Sequence, residues 1–482
     1  APWAGEAAGV GRGFAGCRGT CGRAGPRPAP AGAAAGGPTD VAAPLEKTSK
    51  PGTVPGTIAA LAKGMVGSGI LSLSAGVAAF TRAPEGLVFA LVMLAGMTAL
   101  SAYTFQMVAE VSAHTGSKDF GGAWAATVGE RTGWVPQVII ILLSMLSCVV
   151  YAMIMSDNLA SILRGLISTG APAGLQDALL PWCSRGPVLL CLSVFVLLPL
   201  CLKESFAGLA LTSAVGLVAC AYLSSFVVWR CFDGSYLPGG QFFNLAPVQP
   251  VPLTPATSLG DIVGPNSLVL LSTLGVAYMN HGSAPGTYQE LAAGPVRAGA
   301  TEEEVREAKL RRYLFITAMA FLVAGSIGAT VMASGFLTFG PGSAGLLLAN
   351  YANTDVAAAV ARMCVIVSVL FGFPLNFVLM RIEAVGLVGR GELSRSTIRR
   401  MSVVVLAAIT MMALSLKNLG RVQAIVGSTL GSFVVFTAPG LMARGLRRSR
   451  GIKSKRRAVT EVAVIVWGGI LSSLGLAVSL SA

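Results

Sequence analysis

Residues 57–80 read TIAALAKGMVGSGILSLSAGVAAF, and this stretch decides the fold. It is long enough to cross a bilayer, since a spanning helix needs about 20 mostly apolar residues. It carries a single charge, Lys63. Its middle is unlike an ordinary span, because Gly64, Gly67, Ser68 and Gly69 crowd together before the apolar run resumes. Glycine weakens a helix by roughly 1 kcal/mol per residue relative to alanine. Broken backbone at mid-membrane depth is tolerated only where protein or a watery cavity surrounds it. Two readings follow from this stretch alone. One is a break that exposes amides and carbonyls to substrate and ions, as in secondary transporters. The other is close helix packing through small residues.

The rest of the chain has the composition such a span requires. Of 482 residues, 54% are hydrophobic and only 12% charged, and mean hydropathy is +0.72. Soluble domains carry about 25% charged residues. The chain is therefore a polytopic helical membrane protein. Eleven apolar segments are expected: 57–80, 87–111, 134–166, 188–202, 207–229, 268–291, 314–337, 356–380, 403–416, 419–442 and 459–480. Residues 1–52, rich in Ala, Gly, Pro and Arg, read as a disordered low-complexity tail. The tail fits a transit peptide and plain low-complexity sequence equally well, so it assigns no organelle. The transmembrane domain is expected over 53–482.

The net charge of +14 reflects topology rather than a nucleic-acid partner. With the amino terminus placed in the cytoplasm, most Lys and Arg fall on the tail and the inner loops, as the positive-inside rule requires. The outer loops hold only Arg82, Arg164, Arg185, Arg230, Lys417 and Arg421. The carboxyl terminus is then non-cytoplasmic. The inner loop RGLRRSRGIKSKRR, residues 444–457, carries eight basic residues. It reads as a topogenic signal that can also touch anionic lipid head groups. Arg362 near the outer side is expected to snorkel. Glu290 is expected to pair with the inner-loop cations Arg297, Lys309, Arg311 and Arg312.

No metal or cofactor chemistry is legible. Two histidines cannot make a His-rich site, and no H-E-x-x-H or C-x-x-C pattern occurs. The nine cysteines are scattered, mostly within apolar segments. Cys183 and Cys231 fall on one predicted side, which leaves a disulfide open. A membrane-embedded enzyme would want clustered His, Asp or Cys in its spans, and the chain lacks such clusters.

The sixth apolar segment repeats the anomaly of the first. Its middle, YMNHGSAPGTYQEL, residues 278–291, places Asn280, His281, Gly282 and Ser283 at mid-membrane with Pro285 just beyond. A proline inside a helix frees a carbonyl that something else must satisfy. Two interruptions five spans apart are the signature of an inverted repeat with a binding site at its interface. The repeats are expected over 57–231 and 267–443, with an extra eleventh helix at 458–482.

The run KGMVGSGILSL, residues 63–73, resembles the opening helix of the amino acid/auxin permease family. That family includes sodium-coupled neutral amino acid transporters and vacuolar amino acid transporters. There the run typically reads like N-x-x-x-G-x-G-I-L-x-L-P. The similarity continues through CVVYAMIMSD (148–157), PLCLKESFAGL (199–209), the N-H…Y-Q-E-L of the sixth segment, GFLTFG (335–340), NYANTD (350–355) and GSFVVFTAPG (431–440). It covers nearly everything from Thr57 onward. The resemblance implies an all-α membrane protein of the LeuT type, with eleven transmembrane helices in a five-plus-five inverted repeat plus one. It also implies transport of amino acids.

Within that frame each candidate carries two readings. Val66, Gly67, Ser68 and Gly69 offer amides to a substrate carboxylate, because the free N–H groups of a half-helix favour negative charge; the alternative is tight packing. Asn280, His281, Gly282 and Ser283 offer side chains and freed carbonyls to the substrate amine; the alternative is a polar pair capping two half-helices. Tyr151 either closes over the substrate or packs. Asp157 is either functional or simply solvated near the outer surface.

For ion coupling, Lys63 occupies the position of the family's first-helix asparagine. Leu370 and Gly372 stand where the eighth helix is expected to carry threonines, with Ser368 close by. An ammonium there repels sodium and can hold spans one and eight together through their carbonyls; alternatively Lys63 snorkels to the surface. The expected activity is alternating-access transport of neutral amino acids, since neither break holds an acidic or basic residue. It is expected to be independent of sodium, with protons or the substrate gradient as driving force, and with membrane lipid as the other contact. A sensor of the same fold and a sodium-coupled symporter are the alternatives. Plasma membrane and endomembrane are not distinguished, nor is the oligomeric state.

Overall fold

The computed structural model describes residues 53–481 except 203–208, 293, 295–296, 298 and 389–393. The expected tail, and most of the 199–209 motif, therefore lie outside the described residues. Every element is a helix: α1 (Val54–Met65), α2 (Leu73–Ala78), α3 (Pro84–Thr115), α4 (Phe120–Thr127), α5 (Trp134–Gly170), α6 (Ala173–Leu179), α7 (Arg185–Leu192), α8 (Leu198–Leu202), α9 (Leu209–Phe232), α10 (Ser267–Ala277), α11 (Ala284–Glu290), α12 (Glu302–Phe339), α13 (Val356–Val388), α14 (Arg395–Ser415), α15 (Leu419–Val426), α16 (Ala438–Ser449) and α17 (Lys455–Ser481). π-turns join α7 to α8 and α15 to α16, so each pair runs on as one long helix.

Among the described residues nine helices are long and apolar enough to cross a membrane, or ten with the bent pair α1–α2 counted as one span. The expected eleven also requires α10 and α11, which are too short to qualify separately. The ninth expected segment is a full span, because α14 begins at Arg395, well before the apolar run at 403. Ser394 caps it by accepting from the Thr397 N–H. α12 opens with a capping box between Thr301 and Glu304. Its 38 residues reach about 57 Å at 1.5 Å per residue, well beyond the hydrocarbon thickness.

Close backbone approach holds the bundle together. Lipid offers no hydrophobic contrast between helices, so small residues that let backbones meet do this work. α10 is wedged between the α15–α16 helix and α17. A Cβ on Gly475 would lie 2.6 Å from the Ser272 hydroxyl, and one on Gly275 would lie 3.5 Å from the Gly427 carbonyl. α13 lies along α5; it contains Pro374, and the Cys148 thiol of α5 meets the neighbouring Phe373 carbonyl at 3.8 Å.

The loops around residues 230–236 and 348–355 are pinned by a charged cluster. Arg362 is 0% exposed, so it does not snorkel as its position suggested. Its guanidinium donates to the carbonyls of Leu348 (3.0 Å), Tyr351 (2.7 Å) and Ala352 (3.3 Å). Beside it Arg230 pairs with Asp355 at 2.7 Å and Asp233 at 2.6 Å. Tyr236 donates to Asp355 at 3.0 Å and accepts from the Ala352 N–H. Burial, together with the Asp355 carboxylate, holds the Tyr236 phenol well above its ordinary pKa, so it remains a donor. Glu290 also departs from expectation. It makes no ion pair among the described residues, and Lys309 and Arg312 instead donate to the Gln289 and Ala292 carbonyls. Cys183 and Cys231 are free thiols.

Candidate functional site

Both suspected interruptions are breaks. α1 ends as Val66 closes a last bond to Ala62 and the Gly67 N–H turns back to Met65 at 2.8 Å. Gly67 then runs extended (φ −112°, ψ −150°), and a 3₁₀ turn from Ser68 to Ser72 leads into α2. The bend is 44°. A helix opening at Ser68 has first N–H groups with no intrahelical acceptor. In the sixth segment α10 stops at Ala277, and Tyr278 and Asn280 leave helical geometry with ψ of 12° and 13°. A 3₁₀ turn over His281–Ser283 precedes α11. Pro285 falls in the first turn of α11, where its missing N–H would be unpaired anyway, so it frees no carbonyl.

The breaks meet each other. A Cβ on Gly69 would sit 2.8 Å from the Ala277 Cα, and one on Gly64 would sit 2.7 Å from the Asn280 side-chain nitrogen. Gly67 and Gly282 behave oppositely. Both are exposed, and a Cβ on either would meet nothing within 4 Å. Open space therefore borders each break while the flanking residues are packed.

The remaining candidates are divided among different neighbours. His281 turns from the open space into α3, fully buried, with Nε2 2.9 Å from the Thr104 hydroxyl and 3.2 Å from the Ser101 carbonyl. The Thr104 hydroxyl donates to that same carbonyl, so Nε2 carries the proton. Nδ1 is buried without a partner among the described residues. Tyr278 is tied to the same helix, accepting from Thr98 at 2.6 Å. Ser283 donates to the Asn280 carbonyl at 2.8 Å. Tyr151 lies across Gly372, whose added Cβ would be 3.2 Å from the ring. Asp157 is held by Arg185, whose Nε approaches it at 2.6 Å.

Lys63 packs against the fifth span. A Cβ on Gly216 of α9 would lie 3.0 Å from its ammonium nitrogen, which has no acceptor among the described residues. Four residues on, the Cys220 thiol donates to the Val66 carbonyl at 3.8 Å. Ser368 does reach the first break: it lines a cavity of about 30 Å³ with Val66, Gly67, Cys220 and Cys364. That is room for one or two water-sized occupants. Of the expected trio of Lys63, Ser368 and Gly372, Ser368 alone lines this cavity. The role of Cys220 was not legible, because a cysteine in an apolar run looks like a small hydrophobe.

The family model for transmembrane amino acid transporter proteins matches residues 50–251 and 302–481, leaving the sixth segment between the two matched stretches. The vacuolar amino acid transporter 5 of Saccharomyces cerevisiae is 22% identical over 57% of this chain and 65% of its own, so the chain spans just under two thirds of that relative. The sodium-coupled neutral amino acid transporter 7 of Xenopus laevis is 23% identical over 72% and 71%. The amino acid transporter AVT6E of Arabidopsis thaliana is 24% identical over 87% and 82%. Among solved structures, the inward-facing conformation of Mhp1 superposes with a TM-score of 0.54 at 14% identity over 91% of this chain and 92% of Mhp1. MhsT in complex with L-phenylalanine gives 0.51 at 13% over 88% and 98%. These structures establish a LeuT-type fold for this integral membrane chain. The matched segments cover well over half of the sequence, and the chain belongs to the transmembrane amino acid transporter family.

Proposed function

We propose that the chain moves neutral amino acids across a membrane by alternating access, without sodium. The observation that supports this reading is the pair of abutting breaks whose Gly67 and Gly282 border open space. The free N–H groups opening at Ser68 suit a carboxylate, and carbonyls of the sixth break suit an amine. Val66, Gly67, Ser68 and Gly69 are assigned to the carboxylate side. Asn280, Gly282 and Ser283 are assigned to the amine side, and His281 sets the position of the sixth break rather than touching substrate. Tyr151 bears on the site through Gly372. No carboxylate, ammonium or guanidinium side chain lies in either break, which favours a neutral side chain.

The cavity beside Val66 supports sodium independence. Sodium in this fold is held by freed carbonyls and other oxygens. Here two thiols, Cys220 and Cys364, line the cavity, and soft sulfur is a poor partner for a hard cation. The Val66 carbonyl already accepts from one of them. The Lys63 ammonium beside α9 stands in for the ion and is the group through which protons would act. The excess of Lys and Arg on alternate loops supports a cytoplasmic amino terminus. The test is uptake of a panel of labelled amino acids into proteoliposomes, in sodium against choline buffer, with and without a pH gradient, for wild type and Lys63→Ala. Sodium-independent uptake of neutral substrates is expected. Strict sodium dependence overturns the coupling; binding without flux overturns transport and favours a sensor.

A further inference from the structure

At the end of the bundle carrying the basic loop 444–457, the ends of α3 and α16 and the starts of α12 and α17 enclose a cavity of about 500 Å³. Its lining includes no residue of either break. Its lining holds Arg311, Arg447, Arg450 and Arg457 against the carboxylates of Glu110 and Glu461. Arg447 is satisfied by Glu461 at 2.9 Å and Arg457 by Glu110 at 2.7 Å. Arg450 has no carboxylate among the described residues; its Nη1 lies 2.7 Å from His114 Nδ1 instead. A neutral imidazole accepts a hydrogen bond but cancels no charge, so the cavity retains a net positive charge.

Part of the wall is apolar. Met107, Val111 and Leu446 line it, together with Tyr103 and Leu314, which are 45% and 57% exposed. A free anion gains nothing from such a wall. An amphiphile with a negative head group and acyl chains uses both. Basic clusters beside spans attract anionic lipids electrostatically.

We propose that this cavity is a binding site for an anionic phospholipid. Its phosphate meets Arg450 and the neighbouring guanidinium groups, and its acyl chains leave along Tyr103 and Leu314. The proposal is independent of what the central site carries. It is tested on the purified full chain by thermal unfolding with added lipid, and by mapping cross-links from a photoactivatable phosphatidylserine. Phosphatidylserine should raise the Tm saturably and phosphatidylcholine should not, with cross-links on residues 103–114 or 446–460. Arg450→Glu should weaken the apparent affinity at least tenfold, whereas Lys417→Glu at the opposite end should leave it unchanged. Equal stabilisation by phosphatidylcholine, or equal stabilisation by soluble glycerophosphoserine, overturns the proposal. So do unchanged affinity in Arg450→Glu and cross-links confined to other surfaces. The wild-type cross-link map decides the matter even if the variant fails to fold.

Discussion

Gly69 packs so closely on Ala277 that a Cβ on the glycine would lie 2.8 Å from the Ala277 Cα. The two broken spans therefore touch backbone to backbone just beside the open space at Gly67. Gly69→Ala must force them apart, at a cost of about 1–3 kcal/mol for overpacking. Gly67→Ala meets no atom within 4 Å, and φ of −112° suits alanine. The expected result is a lowered Tm and lost uptake for Gly69→Ala. Gly67→Ala should keep its Tm and show a raised KM, read by thermal unfolding and proteoliposome kinetics.

Gly216 leaves the room that the Lys63 side chain fills. Alanine at 216 would place its Cβ 3.0 Å from the Lys63 nitrogen and displace a flexible chain rather than backbone. Gly216→Ala is expected to alter the pH profile of uptake in the same direction as Lys63→Ala, with little change in Tm. An unaltered profile in both variants would leave Lys63 without a role in coupling.

Arg362 makes three hydrogen bonds to buried loop carbonyls. Charged donors contribute about 1.5–3 kcal/mol each, and buried acceptors left unpaired add a penalty. Arg362→Ala should destabilise the chain by more than about 3 kcal/mol. Arg362→Lys should recover only part of this, since an ammonium cannot reproduce the planar fork. Denaturation in detergent measures both.

His281 donates from Nε2 towards Thr104 and Ser101. Gln can offer a donor near that position; Ala leaves a cavity and unpaired buried acceptors, costing about 1–3 kcal/mol. Uptake by His281→Gln is expected to exceed that by His281→Ala, with the pH profile of wild type. A shifted profile in His281→Gln would make His281, rather than Lys63, the titrating group.

The sequence by itself determined the membrane class, the all-helical fold and the sites of both breaks. Those properties are written locally: apolar length for the spans, and glycine clustering or Asn-His-Gly-Ser interruption for the breaks. The extent of α14 was less legible, because its first turns are polar and extend beyond the apolar run. Only the tertiary structure decided what each break faces. His281 and Gly282 are neighbours in sequence, yet one is buried in α3 and the other borders open space. Lys63 lies against Gly216 of α9, and Arg362 is enclosed by loop carbonyls rather than reaching water. Spacing along one helix fixes which residues share a face, but not which helix covers that face. That choice is made by small residues on several helices meeting at once, and no single segment records it.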